Sequence, residues 1–189
     1  MGFQMGEKNL EILEMTMQEF QKNGLKFTLN DIASSMHIAK KTIYQYYASK
    51  EDLLIGLLDY GFSEIHEKKR MILASDLPPA EKLKEAMIAM PDQYQLLDFR
   101  MLSTLSEKYP RAASALKDHL ESDWEPIVAL IEEGISKGIF REISVAVLKT
   151  MFTASLEAFL STEVLQENGI SYQEALEDMM TVIMGGIVK

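Results

Sequence analysis

The chain contains no cysteine among its 189 residues, which excludes disulfides, thiolate nucleophiles and thiolate metal sites together. That composition fits a reducing compartment, and a cytoplasmic protein is expected. Long apolar runs are also missing. The most apolar late stretches, about 145–160 and 179–188, are interrupted by Lys149 and Glu157 or too short to span a bilayer. The opening MGFQMGEKNL has no basic segment followed by an apolar one, so no secretory signal is read there and no membrane partner is expected. Gly2 satisfies an N-acylation pattern only in part, because position 6 is glycine rather than serine or threonine. A glycine-rich phosphate loop and a Gly-x-Ser-x-Gly nucleophile turn are lacking. His37, His66 and His119 are scattered, and His66-Glu67 lacks the second histidine of a zinc helix. No catalytic residue, cofactor or metal ligand is therefore assigned, and the chain is not read as an enzyme.

Positive charge is scarce overall, with 19 Lys and Arg against 29 Asp and Glu for a net charge of −10. The deficit is not evenly spread. Residues 1–50 hold six lysines against five acidic residues, whereas residues 51–189 hold thirteen basic against twenty-four acidic. Nucleic-acid binding depends on local field and contact geometry, so a globally acidic chain can still carry a binding tip. The asymmetry suggests a small N-terminal module, residues 1–50, on a larger acidic body, residues 51–189.

Apolar residues recur at helical spacing throughout, and glycines and prolines such as Gly24, Pro78-Pro79, Gly138 and Gly169 fall where helices should end. The expected fold is all-α, with about nine helices. Leu10, Leu13, Met17 and Phe20 mark a first helix, 7–23, stopped by Gly24. Thr28-Leu-Asn-Asp31 and Ser49-Lys-Glu-Asp52 read as capping boxes with Asp in place of Glu. Short helices are expected at 29–36 and 40–46 around a turn at 37–39, then a long helix at 50–74. Beyond Pro78-Pro79 the pattern predicts helices at 80–90, 92–108, 111–137 with a kink at Pro126, 144–168 and 172–188.

Two short helices around a tight turn, backed by a third, describe a helix-turn-helix, whose second helix reads the DNA major groove. Lys40, Lys41 and Thr42 fall in the first turn of that recognition helix, the end that meets base edges. Tyr44 and Gln45 lie beside them, and Tyr44 suits a phosphate contact. Lys50 opens the following helix, and Thr28 caps the preceding one at a second phosphate position. Tyr46 fits either a phosphate contact or core packing. Ile43 and Tyr47, four apart, are expected to face inward.

The run Gly24 … Thr28-Leu-Asn-Asp-Ile-Ala33 … Ile38-Ala-Lys-Lys-Thr-Ile-Tyr44-Gln-Tyr-Tyr47-Ala-Ser-Lys50-Glu-Asp-Leu53 resembles the DNA-binding domain of TetR-type transcriptional regulators, over about residues 10–58. Three positions depart from the family pattern. His37 stands where the turn usually has glycine, Ala39 replaces a serine N-cap, and Lys41 replaces a common glycine. The resemblance implies a three-helix DNA-binding domain followed by a helical domain that binds a small-molecule effector and dimerises. It implies as partners a double-stranded operator, an effector and a second copy of the chain.

In the acidic body, methionines and aromatics at helical spacing read first as core. Given the resemblance, Met87, Tyr94, Met101 and Trp124 become candidate effector-pocket residues, with Arg100, Asp98 and Asp123 as polar candidates. The last two helices carry wide apolar faces, including Met151, Ser155 and Phe159 on one and Met180, Ile183, Met184 and Ile187 on the other. Gly185-Gly186 inside the final helix suggests close approach of another helix. A four-helix dimer interface is the expected use of these faces, with internal packing as the alternative. The resulting reading is a dimeric, ligand-released repressor on a pseudo-palindromic operator. Its competitor is an all-α small-molecule-binding protein or enzyme that does not bind DNA.

Overall fold

The computed structural model describes residues 6–91, 102 and 104–189. Among them lie eleven α-helices and one 3-10 turn, and no strand. The N-terminal part consists of α1 (Glu7–Asn23), the 3-10 turn Gly24–Lys26, α2 (Leu29–Ser35) and α3 (Lys40–Tyr44). The long α4 (Lys50–Leu73) runs out of it into a body built from α5 (Pro79–Met87), α6 (Leu105–Lys108), α7 (Pro110–Glu121), α8 (Glu125–Ser136), α9 (Val145–Ser161), α10 (Val164–Glu167) and α11 (Tyr172–Ile187).

The starts of α2, α4 and α11 follow from side-chain caps. At α2 the Thr28 amide donates to the Asp31 carboxylate at 2.7 Å, while the Asp31 amide donates back to the Thr28 hydroxyl at 3.2 Å. Ser171 and Glu174 repeat this reciprocal box at α11. At α4 the Ser49 hydroxyl accepts from the Asp52 amide and donates to its carboxylate at 2.7 Å. Each device satisfies amides that the first helical turn leaves without intrahelical partners.

Two of the expected helices are each broken in two. The stretch 111–137 does not kink at Pro126. It breaks at 122–124, where Asp123 takes φ +55°, and Pro126 sits in the first turn of α8, where its missing amide costs nothing. The stretch 144–168 breaks at Thr162, which is extended and separates α9 from α10. The expected helix 92–108 lies mostly outside the described residues, its described end being α6.

Residues 138–141 close the body in a way the sequence pattern did not specify. Gly138, at φ +71°, reverses the chain after α8, and the Phe140 amide donates to the Gly134 carbonyl at 3.1 Å. The Phe140 ring is fully buried over Gly134, so close that a Cβ at 134 would lie 2.1 Å from its Cδ2. The Arg141 amide then donates to the Ile187 carbonyl at 2.8 Å, fastening the end of α11.

Candidate nucleic-acid interface and effector cavity

The short helix α3 is held from beneath. Ile43 is fully buried and Tyr47 nearly so, as their spacing predicts. The Tyr47 hydroxyl donates to Asn9 Oδ1 of α1 at 2.6 Å, and its ring packs on Gly56 of α4, where a Cβ would lie 2.6 Å away. Glu19 of α1, 5% exposed, accepts from the Ser35 hydroxyl at 3.0 Å and from Asn23 Nδ2 at 3.1 Å, tying α1 to α2. The turn before α3 places His37 at φ +54°, a left-handed conformation that a non-glycine residue adopts at some cost. Ala39 sits at the N-cap of α3 with no side-chain cap.

What this scaffold presents outward is basic and aromatic. Lys40, Lys41, Tyr44, Gln45 and Tyr46 are exposed and Thr42 is half-buried. Lys40 Nζ lies 5.7 Å from the Tyr44 ring centre. Tyr46 is 44% exposed, which removes the core-packing alternative. The hydroxyl of Thr28 is occupied by its capping box, donating to Asp31 Oδ2 at 2.8 Å.

Lys50 does not join that outward face. Its ammonium donates to the carbonyls of Leu25, at 2.7 Å, and Phe27, and lies 4.1 Å from the Phe27 ring centre and 5.3 Å from that of Tyr109. Burial, then the nearby Lys108, lowers its pKa. The physical reason for the inward turn is the pair of carbonyls left open at the 3-10 turn, which a cation caps well. A phosphate-facing Lys50 is thus corrected to a strut between the N-terminal helices and the body.

Beside that strut, Arg111 at the start of α7 bridges to α4. Its guanidinium donates to Asp52 Oδ1 and its amide to Glu51 Oε1, both at 2.8 Å. The Ser49 hydroxyl, and after it Arg111, holds the Asp52 carboxyl below the ordinary carboxylate range. A carboxyl with a lower pKa folded than unfolded stabilises the fold above the ordinary carboxylate range and loses that effect as pH falls through the depressed value. Arg111→Ala is therefore expected to raise the Asp52 titration midpoint toward the ordinary value, read by carboxyl carbon NMR. An unmoved midpoint would show that the bridge does not exist in solution.

Farther along α4, Asp59, Phe62, His66 and Lys69 share one face by their spacing. Asp59 Oδ1 lies 2.8 Å from His119 Nε2 of α7, and the His119 ring stacks on Phe62 with centroids 4.5 Å apart and planes at 5°. Lys69 donates to the Asp123 carboxylate at 3.0 Å and to its carbonyl at 3.2 Å, which explains how Asp123 is kept in its strained backbone conformation. Burial holds His66 below the ordinary imidazole value and favours the uncharged ring, against the opposing pull of Asp123.

Three cavities meet at Phe62 and Ile65. One of about 120 Å³ is almost wholly apolar, lined among others by Met87, Leu116, Leu156 and Tyr172. A second, about 80 Å³, reaches toward Met17, Phe20 and Leu57. The third, also about 80 Å³, runs past Met87, Trp124 and Phe152 and carries His66, Lys69 and His119 in its wall. Met87 and Trp124 thus line one space, whereas Tyr94, Asp98, Arg100 and Met101 lie outside the described residues. The polar side chains at this cavity were missed as a group, because their partners in α7 and the loop after it lie some sixty residues from α4 in sequence.

On α9 and α11, Val147, Met151 and Val182 are exposed by 56%, 59% and 77%, and the Cβ positions of Gly185 and Gly186 face open space. Ser155, Phe159, Ile183 and Met184 are half-buried beside them. Met180 and Ile187 belong instead to the chain's own core, at 0% and 6% exposure, because their face of α11 packs inward. No helix among the described residues is long and apolar enough to cross a membrane.

Residues 12–57 match the family model described as bacterial regulatory proteins, tetR family. Over 93% of both chains the sequence is 27% identical to the uncharacterized HTH-type transcriptional regulator YvaF of Bacillus subtilis (strain 168). It is 25% identical to the HTH-type transcriptional repressor KstR2 of Mycobacterium tuberculosis, over 98% of this chain and 96% of that one. A crystal structure of a putative transcriptional regulator from Saccharomonospora viridis in complex with choline superposes with a TM-score of 0.74 at 21% identity, covering 97% and 98% of the two chains. Both curated relatives are named as HTH-type transcriptional regulators or repressors.

Proposed function

We propose that this chain, a tetR-family regulator by its N-terminal module, is a homodimeric repressor that binds a pseudo-palindromic operator and is released by a small-molecule effector. The observation that carries the reading is the outward row of Lys40, Lys41, Tyr44, Gln45 and Tyr46 on a helix pinned by buried Ile43 and Tyr47. Residues 1–50 form the DNA-binding part and residues 51–189 the regulatory part, with α4 common to both. Lys40, Lys41 and Thr42 meet base edges. Tyr44, Gln45 and Tyr46 meet the backbone, and Thr28 stands at the start of α2 near a second phosphate.

Two recognition helices related by a twofold axis read half-sites about 34–36 Å apart. The exposed apolar residues of α9 and α11, with open glycines beside them, support a twofold interface of two helices per subunit. An effector in the cavities beneath Phe62 favours a form in which α7 and α4 have shifted, and the population moves away from the DNA-competent spacing. The contacts that transmit the shift are Asp59–His119 and Arg111 with Glu51 and Asp52.

Val182→Glu tests the assembly. A buried unpaired charge costs several kcal/mol and occurs twice in a twofold interface, so dimerisation should weaken by about 100-fold or more. Analytical ultracentrifugation should show monomer at concentrations where the parent is dimeric, with operator binding lost in parallel. A variant that stays dimeric and keeps its operator affinity would remove α11 from the interface.

A further inference from the structure

The cavity wall formed by His66, Lys69 and Trp124 has a polar end and an apolar remainder, and their chemistry constrains what fits. Lys69 is 85% removed from solvent by its side-chain exposure of 15%, and two of its three N–H donors go to Asp123. Its charge is neutralised there, and one donor is left over. The His66 ring lies 4.0 Å from the Asp123 carboxylate, beyond hydrogen-bond distance, and makes an edge contact with Phe62, and its burial favours the uncharged form. The polar end therefore offers two donors with no net charge and places a carboxylate nearby. An anion meets Asp123 without an unpaired cation to offset it. A cation displaces Lys69 from its partner. An uncharged acceptor takes the spare donor of Lys69 and a ring N–H of His66 without disturbing the pair.

His119 and Ser122 also stand in the wall, but His119 Nε2 is paired with Asp59 and the Ser122 hydroxyl donates to the His119 carbonyl. The remainder, chiefly Phe62, Ile65, Met87, Ile127, Phe152 and Leu156, offers no side-chain hydrogen bond. It adjoins the larger apolar cavity through the shared Phe62–Ile65 wall. We infer that this site takes an aliphatic molecule ending in an uncharged carbonyl, such as an ester, thioester or ketone, with the carbonyl oxygen held by Lys69 and His66 and the chain lying past Phe62. The inference rests on the reading of the body as an effector-binding part, and names the chemical class of its ligand.

The single tryptophan, Trp124, lines the cavity and reports occupancy without DNA. Titrating the full-length protein with methyl decanoate, decanoate and decane, and following Trp124 emission, separates the three chemistries on one chain length. The ester should bind about tenfold or more tightly than either decanoate or decane, the scale of a hydrogen bond from a charged donor. His66→Phe keeps the ring and its contact with Phe62 but removes both nitrogens, and should erase a large part of the ester's advantage over decane while leaving decane binding unchanged. Lys69→Arg, which retains the tie to Asp123, should keep the ester preference. Tighter binding of decanoate than of the ester, or an ester preference that survives both His66→Phe and Lys69→Met, would overturn the inference. Operator retardation in the same samples tests the parent reading separately. Ester binding without DNA release supports the ligand class and contradicts the effector role. DNA binding with no response of Trp124 to any probe contradicts the ligand class alone.

Discussion

Replacing Lys40 and Lys41 together by alanine is expected to lower operator affinity by roughly 10²- to 10⁴-fold while leaving the melting temperature nearly unchanged. Both side chains are exposed on the first turn of α3, the end that the proposed recognition helix would bring into the major groove. A dimer presents each of them twice, so a loss of even 1 kcal/mol per contact, near the low end of the usual range, multiplies to more than two orders of magnitude. If the two lysines contact phosphates rather than bases, the affinity loss should be similar across sequences and the salt dependence should flatten. If they contact bases, discrimination between operator and unrelated DNA should narrow instead. Fluorescence anisotropy at two salt concentrations distinguishes the cases. Arg70→Ala, which removes one positive charge from a surface pair with Glu67 on α4, serves as a control for charge removal away from α3 and should change little. Unchanged affinity in the double variant would refute the assigned face.

Phe140→Ala is expected to destabilise the folded chain by about 3–5 kcal/mol, among the largest effects available to a single substitution. The ring is fully buried and sits on Gly134, so its removal leaves a void that the helix backbone beneath it cannot easily fill. The reciprocal change, Gly134→Ala, forces the ring away from a Cβ only 2.1 Å from Cδ2 and should cost about 1–3 kcal/mol. Because the turn at 138–141 also fastens the end of α11, both variants should weaken dimerisation beyond what the stability loss alone accounts for. Urea unfolding followed by circular dichroism measures the first effect. A midpoint within error of the parent would mean that the ring is not packed as described.

The N-terminal helices were legible in the sequence because their signals are local. Capping residues three apart, a left-handed turn position at His37 and the Ile43–Tyr47 pair each act within a few residues. Lys50 was misread because its partners, the carbonyls of Leu25 and Phe27, are backbone atoms that no residue type announces. The break at 122–124 is also absent from the apolar periodicity, which continues across it. It depends on Lys69, more than fifty residues earlier, holding Asp123 in place. Asp59–His119 and Asp52–Arg111 are hidden for the same reason, each joining helices whose residues are about sixty apart. On α11, Met180 and Ile187 shared an apolar helical stripe with truly exposed neighbours, and periodicity alone does not say which flank of a wide stripe the chain itself covers.

The most direct test is selection from random double-stranded DNA by the full-length protein at physiological salt. A sequence-specific dimer should enrich a pseudo-palindrome whose half-sites are spaced by about one helical turn or a multiple of it, and the Lys40→Ala/Lys41→Ala variant should fail to enrich it. No enrichment above input, or an equal enrichment by the double variant, would contradict a regulator that reads DNA through α3.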